Sequence, residues 1–148
     1  MHFPAVNYLA VLVAAIVIFA LGGLWYSPVL FVKRWIALQG KTEEQMKAEA
    51  ASANMPLLYI SAFVTALITS LVMAHLLGYF AAAVNPSVMQ LNAAHGAIFG
   101  FACWLGFAAP TSYATAIFSG KPKQLWLIDS SYNLISLMLA GLILAVWR

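Results

Sequence analysis

Residues 5–28 read AVNYLAVLVAAIVIFALGGLWYSP, with no charged position among them. A helix needs about 20 mostly apolar residues, each rising 1.5 Å, to cross roughly 30 Å of hydrocarbon. This run is long enough. It lacks the basic n-region and the short apolar segment ending in small residues that mark a cleaved secretory signal, so a retained membrane helix is expected. Three further apolar runs occupy residues 57–80, 91–118 and 125–147. Pro56 precedes the second, where its missing N–H suits a first helical turn. The expected fold is all-α: one transmembrane domain over residues 1–148, an integral four-helix bundle with a linker at about 32–55 between helices 1 and 2.

Composition excludes the alternatives. Of 148 residues, 64% are hydrophobic and 7% charged, against about 25% charged in soluble domains. A water-soluble globule and a disordered tail are both ruled out. The single cysteine rules out a disulfide-stapled secreted domain. The expected surroundings are the lipid bilayer of a bacterial inner membrane. Lys33, Arg34, Lys41, Lys47, Lys121 and Lys123 fall in the loops after helices 1 and 3, which places those loops in the cytoplasm and both termini in the periplasm or exterior. Arg148 alone falls on the other side. Orientation accounts for the net charge of +3, so no nucleic-acid partner is expected. Asn85-Pro86-Ser87 is no glycosylation acceptor, because proline occupies its middle position.

In the linker, Thr42-Glu43-Glu44-Gln45 has the spacing of a capping box and predicts a short cytoplasmic helix over about 43–53. Gly40-Lys41-Thr42 resembles the end of a phosphate-binding loop, but that pattern needs glycine at position 35, where Trp35 stands.

Lipid does not drive apolar helices together, so small and polar residues on common faces carry the information. Gly22 on helix 1 and Gly96, Gly100 and Gly106 on helix 3 are candidate packing positions, and Gly96 and Gly100 have the four-residue spacing of close approach. Polar residues sort by depth into two clusters. Asn7, His75, Asn92 and His95 form the outer one; Trp25, Tyr26, Ser27, Pro28, Asp129, Tyr132 and Asn133 form the inner one. Asp129 is the sole acidic residue within a span, which makes it a functional candidate. It also lies about one turn inside helix 4, within reach of Lys33, Lys121 or Lys123, which suits a structural role. His75 and His95 read as a hydrogen-bonded pair tying helices 2 and 3 rather than as metal ligands. Cys103, with no adjacent base, reads as a small packing residue. No metal, no cofactor and no catalytic arrangement is expected.

The run Leu21-Gly22-Gly23-Leu24-Trp25-Tyr26-Ser27-Pro28, with Lys33, Trp35 and the Gly40–Glu44 segment, resembles the signature of a bacterial family of small membrane proteins, the domain of unknown function 1761. Thr111, Phe118, Gly120 and the Leu127–Tyr132 segment extend the resemblance into the carboxyl half. It implies four helices and directs attention to Gly22, Trp25, Tyr26, Ser27, Pro28, Asp129 and Tyr132. Ser27-Pro28 should break helix 1, and the freed carbonyls should find partners in a polar knot reaching Asp129. The expected role is that of a non-enzymatic interaction, accessory or scaffold protein, a homo-oligomer or the partner of another membrane protein. The alternative is a small oligomeric transporter or channel using the polar cluster around Asp129.

Overall fold

The computed structural model describes residues 5–84 and 90–147; Asn85-Pro86-Ser87 and Arg148 lie outside them. The described residues form helices without strands: α1 (Tyr8–Trp25), α2 (Val32–Leu38), α3 (Glu43–Ser52), α4 (Met55–Ala83), α5 (Ala93–Cys103), α6 (Ala109–Phe118) and α7 (Lys123–Val146). A π-helical turn, Trp104–Ala108, joins α5 to α6 into one long helix. Four helices are therefore long and apolar enough to cross a membrane: Tyr8–Trp25, Met55–Ala83, Ala93–Phe118 and Lys123–Val146.

Local chemistry sets the ends. Asn7, Asn54 and Asn92 each precede a helix, and their side-chain oxygens accept from free backbone N–H groups of the first turn. The α3 capping box is complete: the Thr42 hydroxyl accepts from the Gln45 N–H at 3.2 Å, and the Thr42 N–H donates to Gln45 Oε1 at 2.9 Å. α1 stops at Trp25, three residues short of Pro28, because a residue before proline avoids helical geometry. The linker holds two helices where the sequence pointed to one. α2 has seven residues, too few to show a period.

The π turn has an identifiable cause. Pro110 cannot donate, and its ring crowds the preceding turn. The backbone widens there, with Ala109 N–H reaching the Trp104 carbonyl five residues back. The Thr111 hydroxyl covers the exposed carbonyls of Phe107 and Ala108.

α7 is the central helix, packing on α5, α1 and α4. Ala10, Ala14, Ala15 and Ile18 of α1 meet Ala66, Met73 and Leu77 of α4 and Ala140, Leu144 and Ala145 of α7 in one apolar core. The α5–α7 seam is tighter still. A Cβ on Gly96 would collide with the Gly141 carbonyl, one on Gly100 with the Leu137 carbonyl, and one on Gly141 with the Gly96 carbonyl. Gly141, an isolated glycine in an apolar run, thus completes the contact that Gly96 and Gly100 begin. Gly106 has no such part: it is exposed in the π turn, and a Cβ there meets nothing within 4 Å. The packing role expected for Gly106 does not hold in this bundle, because the π turn directs it away from α7.

Gly100→Ala and Gly141→Ala each force two backbones apart, so each should lower stability by about 1–3 kcal/mol or more, seen as a lower thermal midpoint in detergent. Gly106→Ala should leave that midpoint unchanged or slightly raised. Equal effects at all three positions would contradict the seam.

Candidate functional site

The end of α1 builds a polar knot. After Trp25 the chain turns sharply: the Trp25 carbonyl accepts from Phe31 N–H at 3.2 Å, and the Ser27 hydroxyl accepts from Val29 N–H at 3.3 Å. The Ser27 carbonyl takes the N–H groups of Leu30 and Val32, at 3.1 and 3.3 Å. The turn launches α2, which carries Trp35 back over the bundle. Carbonyls freed by the break are thus largely served by the turn itself; Tyr132 donates higher up, to the Ile18 carbonyl within α1, at 3.2 Å.

Asp129, on the second turn of α7, is the centre of the knot. Its Oδ1 accepts from the Tyr26 hydroxyl at 2.8 Å and from the Trp35 indole N–H at 3.0 Å. The Trp25 indole N–H donates to the neighbouring Ile128 carbonyl at 3.1 Å. Aromatic rings surround the carboxylate: Tyr26 packs edge-on against Trp35 and Tyr132, with centroids 5.4 and 5.7 Å apart. Gly22 leaves room for Tyr132, since a Cβ there would sit 3.1 Å from its hydroxyl. Tyr26 lies one residue past the first span. Burial, then the hydrogen bond to Asp129 and its charge, push the Tyr26 hydroxyl well above the ordinary tyrosine range, so it remains a donor.

The expected lysine partners are not in place. Among the described residues the one ion pair is Lys41–Glu49 at 2.7 Å. Lys33, Lys121 and Lys123 are exposed, while Asp129 turns inward to neutral donors. Long lysine stems favour water for the ammonium, and the indole and phenol are already held rigidly by packing. Asp129 also lines a small cleft of about 280 Å³ between α6 and α7, with Lys121 and Asn133.

Tryptophan recurs as the tether. Trp104 Nε1 donates to the Ser130 carbonyl at 3.0 Å, and Trp126 Nε1 to the Ser112 hydroxyl at 3.1 Å. Sequence reasoning missed the hydrogen bonds of Trp35, Trp104 and Trp126; a packed indole's need for an acceptor is the available signal.

The second cluster is not gathered. Asn7 and Asn92 serve as caps for their own helices. His75 Nδ1 lies 2.9 Å from the Leu71 carbonyl of its own helix, and His95 Nδ1 is buried without a hydrogen-bond partner. The expected His75–His95 bond is therefore replaced by a bond within α4. Among the described residues no group of three or more His, Cys, Asp or Glu is placed to hold a metal.

A second feature is larger. α4 and the third long helix touch at Phe80 and Phe99, with ring centroids 5.9 Å apart, and diverge from there. Between them lies a laterally open groove of about 1320 Å³, floored by α1 and α7. Cys103, Tyr132, Asn133 and the floor residue Ser136 line it. Ser136 is 4% exposed, and its Oγ has no hydrogen-bond partner.

A helical bundle pinned by an aromatic–carboxylate knot at the exit of its first helix is the class this geometry defines. The family model described as "Protein of unknown function (DUF1761)" matches residues 9–145, and the chain belongs to that family. No curated protein and no solved structure matches the chain.

Tyr26→Phe should remove one of two donors to Asp129 and lower unfolding stability by about 1.5–3 kcal/mol. A double-mutant cycle of Tyr26→Phe with Asp129→Asn, read by denaturation in detergent, should show coupling above about 0.5 kcal/mol. Strict additivity would mean that the pair does not interact.

Proposed function

We propose that this chain is a non-enzymatic, multi-pass protein of a bacterial plasma membrane that works by interaction, receiving a partner's transmembrane helix in its lateral groove. The observation carrying this reading is the face of α4 turned into the groove. Ala62 and Ala66, and Thr65 and Thr69, stand four residues apart, the small-residue spacing through which membrane helices pack closely. The third long helix diverges from that face rather than covering it. Size agrees. The groove follows α4 from Tyr59 to Leu76, about 25 Å at 1.5 Å per residue, and a helix of that length and about 10 Å diameter displaces roughly 2000 Å³. A volume of about 1320 Å³ would take in most of such a helix.

Asp129 supports anchoring over transport. Its Oδ1 is already engaged by the chain's own Tyr26 and Trp35, which hold α2 and the exit of α1 against α7. The orientation proposed is the one basic loops favour. Arg34 and Gln124 meet at 3.0 Å, bringing the two lysine-bearing loops to one end of the bundle, the cytoplasmic one.

Two measurements test these readings. A photoreactive residue at Thr65 or Thr69 should form protein adducts in native membranes, and one at Val64, outside the groove, should not. Lipid adducts alone at all three positions would overturn the docking reading. A cysteine replacing exposed Ala48 on α3, with Cys103 replaced by alanine, should resist a membrane-impermeant thiol reagent in intact cells and react once they are opened. Labelling in intact cells would reverse the orientation.

A further inference from the structure

Resting on the docking reading above, the groove also constrains its occupant. We infer that a second copy of this chain fills it, α4 of each protomer packing on α4 of the other in an isologous dimer.

Symmetry gives the first argument. Two copies with the same orientation in one membrane are related by a two-fold axis along the membrane normal, which sets one face of each against the same face of the other. A bulky face would hold the pair apart. The groove-lining residues of α4 from Ala62 to Thr69 are small except Ile68, with Val72, Met73 and Leu76 beyond them, so two such faces can approach closely over that first stretch. The lip residues Tyr59 and Phe107, 57% and 72% exposed, stand outside that contact.

The second argument is the buried hydroxyl of Ser136. A polar atom this far from water needs a partner, and in this position the chain provides none. The second copy does. Phe19 packs on Tyr59 and Phe63, which fixes the start of α4 beside the end of α1, and the Trp25 and Tyr26 bonds place the start of α7 at that same end. Phe19 lies six residues, about 9 Å, from Trp25 along α1, and Thr65 stands two and six residues past its partners Phe63 and Tyr59; Ser136 stands eight residues, about 12 Å, past Ile128, which meets Trp25. Thr65 and Ser136 are therefore both about 12–15 Å from the level of Trp25. A two-fold axis along the membrane normal preserves depth, so Thr65 of each copy enters the other's groove near the level of Ser136. Its hydroxyl donates to the Ala62 carbonyl of its own helix at 2.8 Å, which leaves its oxygen to accept from Ser136.

The test begins with Cys103→Ala, because Cys103 itself lines the groove. In that background Thr65→Cys and Thr69→Cys should give disulfide-linked dimers on mild oxidation of native membranes, and Ile60→Cys and Val64→Cys should not. Native mass spectrometry after gentle extraction should show a dimer for the unaltered chain. Thr69→Phe should be monomeric with its thermal midpoint retained, since Thr69 faces open space in one protomer. Ser136→Ala should lower the dimer constant roughly tenfold, about threefold for each of two symmetry-related hydrogen bonds, while leaving the monomer's midpoint unchanged or higher. Equal cross-linking at Val64 and Thr69, or a monomeric unaltered chain, overturns the inference. If that monomer carries a different protein photo-linked at Thr69, the second copy is excluded and helix docking stands; lipid alone at Thr69 removes both.

Discussion

Backbone contact between α5 and α7 is the constraint from which the arrangement follows. In lipid, leucine against leucine is hardly better than leucine against an acyl chain, so apolar side chains cannot choose a helix partner. Gly96, Gly100 and Gly141 can, because two main chains brought together gain dispersion contacts that lipid cannot match. The seam fixes the register of α7 against α5. Register in turn sets which α7 residues face α1 and α4: Ala140, Leu144 and Ala145 enter the common core, and Ser136 is carried to the groove floor.

Polar anchors then secure the far end of the bundle. Pro28 ends α1 where the chain still packs on α7, and each carbonyl freed and shielded from water there needs a partner. The turn through Phe31 provides most of them, and in doing so aims α2 back so that Trp35 reaches Asp129. A carboxylate in this position is costly unless its charge is met by donors. Tyr26 and Trp35 meet it from two segments at once. One acidic side chain thereby joins α1, α2 and α7, and its removal should be felt in all three.

Much of this was legible in the sequence, for a physical reason in each case. Uncharged runs of membrane length have few other uses, so the four long helices are plain. The Thr42–Gln45 box is a local motif and is realised atom for atom. Gly96 and Gly100 advertise a seam by their spacing, whereas Gly141 has no companion and becomes visible when α7 is laid on α5. α2 is too short for a period, so the role of Trp35 in the knot depends on a turn that sequence alone does not draw. The π turn arises from Pro110 and Thr111 acting together, and it displaces Gly106 from the packing face. The groove is the least legible feature, because it consists of a contact that α4 does not make.

The attachments of α4 differ in kind from those of the other long helices. α1 and α2 are bonded to α7 through Trp25, Tyr26, Trp35 and Tyr132, and the third long helix is bonded to it through Trp104 and Trp126. Among the described residues, the side-chain hydrogen bonds of α4 stay at home: Thr65 donates to the Ala62 carbonyl, and His75 meets that of Leu71. α4 is held by alanine, methionine, leucine and aromatic contacts alone. Such contacts specify orientation weakly in lipid. The face that α4 shows the groove is therefore the part of the bundle whose packing is least determined within one chain, and the part where a hydrogen-bonding neighbour adds most to it.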